Sequence, residues 1–455
     1  MTKKLVLIVV DGLTPAALER AVESGRAPAL ALLAGHGSYR RATSVFPSLT
    51  PVCLSSIVTG AGPDVHRIPH LVWWHRDERR IVEYGSSFAA LRAAGMAQAI
   101  TDTIFNMNQK HLGADAVTVY EALEDEGLVA AAVNITCYRG RTRHQPVLPW
   151  VTKPAYGPRR FFYYSLFESD PTGAPFAVRN RAGGSIDVYA SAVGRWLVTR
   201  DGFDFFAYYL SDFDFASHAH GPLGAEDVAL VRTDAAIQAL LDAAGGADAF
   251  LERYAVILHS DHGQTPVEHA THLESSLTAH ADHVVVTASN RAGQVYLLPG
   301  ARVDAEILAR SFDGDETVEV TLRLEHDEAV ARRDGEELRF RPGASGGTAG
   351  WATSGDAAIL DHPDALHRAW SALANPNAGE LLVSAAPGWE YADLGGRHHA
   401  GGGSHGSLVE GDSVVPVLSV GVDADVRRIT DVMPAVLEHF GVAAPAYVAA
   451  RERVA

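Results

Sequence analysis

The chain has 455 residues, 47% of them hydrophobic and 20% charged, with a formal net charge of −17. This length and balance build a large globular core and exclude a disordered chain. The acidic surplus disfavours a nucleic-acid polymer or an anionic membrane as partner, since both are bound by Lys and Arg neutralising phosphates; a small phosphorylated substrate stays compatible if metal ions supply local positive charge.

The first element, "MTKKLVLIVVDG", has two lysines before a short apolar run, Leu5 to Val10. The run ends in Asp-Gly with no small-residue cleavage site behind it, so it reads as a buried strand and a cytoplasmic location is expected. No apolar run approaches the roughly 20 residues of a membrane span. "TPAALERAVESG" follows as a helix, and "VTVYEALEDEG" is a helix leading into the strand "LVAAAVNIT". "FDFFAYYLSD" is an apolar strand ending in acids, followed by the helix "EDVALVRTDAAIQALLDAAGG" with its glycine stop. "YAVILHSDHGQ" repeats the strand-then-acid pattern, and "DSVVPVLSVG" adds a late strand. This alternation predicts an α/β fold, a mostly parallel central sheet with helices on both faces.

Two segments break the alternation. Residues 138–200, with "GPRRFFYYSLFESDP", are aromatic and punctuated by Pro and Gly, and are expected as an insertion near the site. Residues 280–390 contain "TVEVTLRLEHDEAVARRDGEELRFRPG", which predicts antiparallel strands joined by an Asp-Gly turn in a smaller α+β cap. The catalytic core is then 1–137, 201–279 and 391–455.

Polar residues gather where the predicted core strands end. Asp11 follows the first strand; Asp212 and Asp214 follow the strand at 203–210, with His218 and His220 beyond. Asp261 and His262 follow "YAVILHS", and His405 lies in the glycine-rich loop before the last strand. Ligands of open α/β sheets bind at the carboxyl ends of strands, so these scattered residues should converge. Carboxylates and imidazoles without thiolates suit Zn²⁺ or a similar divalent ion, and a pair of such ions can clamp the attacking and leaving oxygens of a displacement. Cys53 and Cys137 are too few for a disulfide framework or a cysteine zinc site. The stretch "SVFPSLTPVCLSSIVTG" offers several hydroxyls and one thiol as nucleophiles, and its residues alone do not choose among them.

Asp-Gly, Asp-x-x-x-His, Ser-Asp-His-Gly and His-Gly occur in this order, each after a separate predicted strand. With "VFPSLT", "DFASHAHGP" and "SDHGQ" they make the chain resemble the alkaline phosphatase superfamily, on its nucleotide pyrophosphatase/phosphodiesterase and phosphonoacetate hydrolase branch. The resemblance implies an alkaline phosphatase-like core, two divalent metal ions, most plausibly zinc with manganese or iron as alternatives, and a phosphothreonine intermediate on Thr50. One metal would be held by Asp11, Thr50, Asp261 and His262, the other by Asp214, His218 and His405. The family pattern His-x-x-Gly-Pro selects His218 over His220 and hence Asp214 over Asp212. The glycine after it selects His405 over His398 and His399. His66 matches a family histidine and reads as structural.

The implied activity is metal-dependent cleavage of small phosphodiesters or nucleotide pyrophosphates. Phosphomonoester or phosphonate hydrolysis stays open within the superfamily, and a catalytically idle metal- or ligand-binding relative stays open outside it. Ser48 and Ser55 are alternative hydroxyls. Cys53 raises a sulfatase reading, which "CLSSI" disfavours for want of the arginine that sulfatases carry. Relatives place a phosphate-binding asparagine where this chain has Leu71; His70, Asn106, Asn108 and Lys110 are candidate substitutes. Arg139, Arg141 and Arg143 are a candidate anion site or a solvated loop, and Trp73, Trp74 and the aromatics of "RRFFYYSLF" either cover an ester group or form core.

Overall fold

The computed structural model describes residues 2–149, 152–169, 185–343 and 350–451. Its main sheet has eight strands in the order Ser38–Thr43, Val414–Val420, Tyr254–His259, Lys4–Val10, Phe205–Leu210, Ala130–Val133, Arg160–Tyr163, Phe167–Ser169. The five strands from Tyr254–His259 to Arg160–Tyr163 run parallel, while Val414–Val420, Ser38–Thr43 and Phe167–Ser169 are antiparallel to their neighbours. Side-chain alternation along the central strand splits the core into two layers. Leu5, Leu7 and Val9 pack with Val52, Leu54 and Ile57 of the helix Thr50–Thr59 and with Val432 and Val436 of the helix Val432–Phe440. Val6, Ile8 and Val10 pack on the other face against Leu18, Leu30, Val193 and Ile237. Burial on both faces explains why these strands are continuous apolar runs.

Residues 160–163 and 167–169, from the stretch expected as an insertion, lie at one end of the main sheet, and the helix Ile186–Arg200 packs on it. Residues 170–184 of that stretch lie outside the described residues. A second, antiparallel sheet of seven strands runs Val284–Ser289, Ala292–Leu297, Leu381–Ala385, Val318–Glu325, Glu328–Arg333, Glu336–Pro342, Trp351–Gly355. Its Asp334-Gly335 turn has both residues at positive φ, 49° and 89°, the backbone a two-residue hairpin demands.

Arg291, in the hairpin between the first two of these strands, ties the second sheet to the main one. Its guanidinium is fully buried and meets Asp412 at 2.9 and 3.1 Å, the carbonyls of Trp389 and Ala386 at 3.1 Å each, and the Thr265 hydroxyl. Asp412 in turn accepts from Thr265 Oγ1, Ser407 N and Ser407 Oγ. Both charges are therefore saturated with hydrogen bonds, the condition under which a buried pair is tolerated. No helix among the described residues is long and apolar enough to cross a membrane.

Candidate active site

Asp11 leaves the central strand with its backbone N–H on the Leu210 carbonyl at 2.9 Å. Gly12 follows at φ +68°, and a Cβ there would lie 2.9 Å from Asp214 Oδ1. Glycine is needed on both counts, and it lets the two strand ends touch. Gly12 N donates to Asp261 Oδ1 at 3.2 Å, which brings the third strand end into the same cluster. Thr50 is the first residue of its helix, with Pro51 behind it preset for helical φ, so the hydroxyl sits at the helix start. Its Oγ1 lies 3.1 Å from His262 Nε2.

Three imidazoles share one arrangement. His262, His405 and His218 each place Nδ1 against a carbonyl, that of Gly263 at 3.0 Å, Ser48 at 2.7 Å and Gly403 at 2.8 Å. An Nδ1–H donated there leaves Nε2 as the inward-facing atom, the usual way a metal-binding histidine is oriented. Nε2 of His262 faces Asp11 Oδ1 at 3.2 Å and Asp261 Oδ2 at 3.5 Å. Nε2 of His218 is 3.3 Å from Asp214 Oδ2, and that of His405 is 3.8 Å from Asp214 Oδ1. The His262 and His405 rings stack with centroids 3.6 Å apart.

The charge balance of this cluster calls for cations. Asp11 Oδ1 and Asp261 Oδ2 are buried without a hydrogen bond, and a lone pair on His262 Nε2 would face both. Burial raises the Asp11 carboxyl, with Asp214 adding to it, and burial followed by Asp11 pushes the Asp261 carboxyl well up. Burial opposes charge on His262, yet the carboxylates of Asp261 and Asp11 outweigh it and push the imidazole up to about 10. Two groups could hold an ion, with ligand atoms all within 4.8 Å: Asp11, Asp261 and His262, and Asp214, His262 and His405. Orphaned carboxylate oxygens beside imidazole nitrogens fit divalent ions of the zinc class.

The competing residues are occupied elsewhere. Asp212 accepts from Ile186 N at 3.0 Å and from Ser185 Oγ, capping the neighbouring helix, and His220 is exposed. Ser48 Oγ donates to Ser407 O and Ser55 Oγ to Pro51 O. Cys53 is buried 3.3 Å from Ser44 Oγ, and burial pushes its thiol pKa far up, the environment of an inert cysteine. His66 is buried between Ser56 Oγ and Ile68 N, with burial lowering its pKa to about 3.

The candidate substrate contacts fare differently. His70 is fully buried, accepting from Val72 N through Nδ1 and meeting Ala292 O through Nε2. "FNMNQKH" belongs to the π-helix Asp102–His111; Asn106 donates to Asp102, and Asn108 bridges Thr136 O to the N–H groups of Tyr138 and Arg139. Lys110 is exposed. None of the four lines the cavity over Thr50, because the helix turns Thr103, Ile104 and Met107 toward it instead. Arg139 and Arg141 are paired with Glu121 and Asp125. Trp73 is core, stacked on His75, whereas Tyr163 and Tyr164 of the aromatic run line the cavity.

Three neighbours of the cluster escaped sequence reasoning, and a fourth, His399, entered it only as an alternative to His405. Tyr209 donates to Asp11 Oδ2 and Gln264 to Asp214 Oδ1. Asn290, at φ +57° in the hairpin before Arg291, sets its amide nitrogen 3.1 Å from His405 Nε2. His399 stacks on His218 at 3.9 Å and is held by the buried Glu390. Tyr209 could have been found from strand alternation, being an inward polar tip one residue before the strand's end; the other three carry no local signal.

Comparison with known proteins agrees with this architecture. The family model for type I phosphodiesterase / nucleotide pyrophosphatase matches residues 5–408. Murine ectonucleotide pyrophosphatase / phosphodiesterase 5 superposes with a TM-score of 0.63 at 14% identity, covering 97% of this chain and 96% of that one. An inactive threonine-to-alanine variant of the murine protein, solved with AMP, matches equally well. Phosphonoacetate hydrolase from Sinorhizobium meliloti, in complex with phosphonoformate, gives 0.62 at 18% identity over 96% of each chain. With the family model spanning almost nine-tenths of its length, the chain belongs to the type I phosphodiesterase / nucleotide pyrophosphatase family of the alkaline phosphatase superfamily.

Proposed function

We propose that the protein hydrolyses phosphodiesters with Thr50 as nucleophile and two divalent ions, zinc in the first instance, as cofactors. The observation that carries this reading is the Thr50 hydroxyl 3.1 Å from His262 Nε2, beside the orphaned oxygens of Asp11 and Asp261. Asp11, Thr50, Asp261 and His262 would hold one ion, and Asp214, His218 and His405 the other. When bound, such ions lower the pKa of a coordinated hydroxyl and neutralise charge growing on the attacking and leaving oxygens.

The chain's own residues do the rest. Thr50 Oγ1 gives up its proton to solvent and forms the new bond to phosphorus as the ester oxygen opposite it departs as the alcohol. This leaves a phosphothreonine that still carries the other ester group, which the second step releases as a monoester. Water then attacks that phosphorus, and the Thr50 hydroxyl is regenerated. Helix geometry fixes Thr50, and the carbonyls of Gly263, Ser48 and Gly403 keep the three imidazoles from rotating. The murine relative's inactive threonine-to-alanine variant supports the role given to Thr50.

The deciding experiment quenches turnover of a nitrophenyl phosphodiester in acid and maps the modified peptide by mass spectrometry. A phosphoryl group that still carries the second ester substituent is expected on Thr50. Steady turnover with that peptide unmodified, together with undiminished activity of Thr50→Ala, would overturn the reading. A matched panel of monoester, diester, pyrophosphate and phosphonate then ranks substrate classes by kcat/KM.

A further inference from the structure

The cavity over Thr50 encloses about 930 Å³, far more than a phosphoryl group fills. Away from Asp11, Asp214 and the histidines its lining is mostly apolar, interrupted by the hydroxyls of Ser86, Thr103 and Thr136. Leu91, Ile100, Ile104, Met107, Leu166 and Phe215 line one continuous space with Thr50 and Asp11. Two of these stand in water at a cost that packing does not repay: Phe215 is 79% exposed and Ile100 42%. Phe215 is the residue after Asp214, on the solvent side of the helix that carries Asp214 and His218, so an unpartnered aromatic overhangs the mouth of the site. Exposed apolar surface contiguous with a catalytic centre is a binding surface for the part of the ligand that does not react. The sequence departure falls at the same place. Leu71, where relatives have a polar donor, is itself a wall of this cavity.

We infer that this wall is a subsite for an apolar, uncharged ester group, so that the preferred substrate is a phosphodiester with an alkyl or aryl substituent rather than a nucleotide or a pyrophosphate. The inference rests on the phosphodiesterase reading for its reaction but not for its binding. An alkyl chain would lie along Ile104 and Met107 with its end under Phe215, and an aryl ring would stack on Phe215. Each buried methylene adds to transition-state binding without altering the chemistry at Thr50.

Two measurements test this independently. The first is affinity for the unreactive O-methyl and O-hexyl esters of methylphosphonic acid, measured calorimetrically on metal-loaded protein. With about half of its five extra methylene groups' surface buried, the hexyl ester should bind roughly 30-fold tighter, with a more negative heat-capacity change. In Phe215→Ser with Ile100→Gln, both exposed and so safe for folding, the ratio should shrink to a few-fold. Equal affinities in the wild type, or a ratio that the double variant leaves intact, overturn the subsite.

The second is kcat/KM on p-nitrophenyl phosphates whose other ester is methyl, hexyl, naphthyl or thymidine 5′-yl. Hexyl and naphthyl esters should lead the methyl ester by the same factor, with the thymidine ester behind them. A thymidine ester ahead of both overturns the inference and leaves the phosphodiesterase reading standing. If no ester is cleaved, that reading fails while the phosphonate affinities still decide the subsite.

Discussion

Two buried charge clusters lie next to each other here, joined through the Arg291 N–H on the His405 carbonyl at 2.9 Å, and they are built on opposite terms. Around Arg291 and Asp412 every strong donor and acceptor is met, and the charges cancel. Around Asp11, Asp214 and Asp261 two carboxylate oxygens are orphaned, and three imidazole nitrogens point inward together. A closed network spends its electrostatics on holding sheets together. An open one keeps them available for something that is not protein.

The contrast breaks most visibly at Thr50. Thr50→Ala should lower kcat by about a thousandfold or more with thermal stability unchanged, and Thr50→Ser should keep part of the rate, since either hydroxyl can be activated. Near-wild-type rates in the alanine variant would place the nucleophile elsewhere. Asp412→Asn attacks the closed cluster and strands the Arg291 charge, which should cost about 3–5 kcal/mol of stability in a denaturant titration. A loss below ~1 kcal/mol would mean that water reaches the pair.

Asp261→Asn sharpens the comparison because the sign should differ. Removing a carboxylate from the open cluster relieves repulsion, so metal-free protein should melt no lower than wild type, while elemental analysis finds its metal content reduced. A melting-point drop like that of Asp412→Asn would show that the two clusters are the same kind of network. Chelation of wild-type protein should abolish turnover. The smallest effect is expected from Cys53→Ala, about 1–2 kcal/mol of packing and activity within about twofold. An inactive Cys53→Ala would restore the sulfatase reading.

Much of this arrangement was legible before any coordinates. The parallel strands announce themselves as apolar runs because both faces are covered, and three of them, Lys4–Val10, Phe205–Leu210 and Tyr254–His259, are followed within a few residues by the acid or histidine that joins the cluster. Their convergence follows from strand polarity alone. The substrate side was not legible. Asn106, Asn108 and Lys110 look like a polar loop in sequence, yet they lie on a π-helix whose asparagines satisfy neighbouring side-chain and backbone groups. "RRFFYY" looks like an aromatic insertion because a strand buried on both faces has no alternation to reveal it. Asn290, Gln264 and His399 reach the site through turns and loops whose direction tertiary contacts set.

The strand Val414–Val420 is among the last elements of the chain, yet it sits inside the main sheet between Ser38–Thr43 and Tyr254–His259. During translation Ser38–Thr43 waits with an open edge while more than half of the sequence is made, and Tyr254–His259 while about a third of it is. His405 emerges just ahead of the strand that closes the gap, and its ring is then pinned to Ser48. Birth order thus makes the Asp–His cluster a late arrival. A ribosome-bound chain shorter than about 405 residues has Thr50 and most of the acids but not the whole cluster, so the proposed site assembles only when the fold is nearly complete.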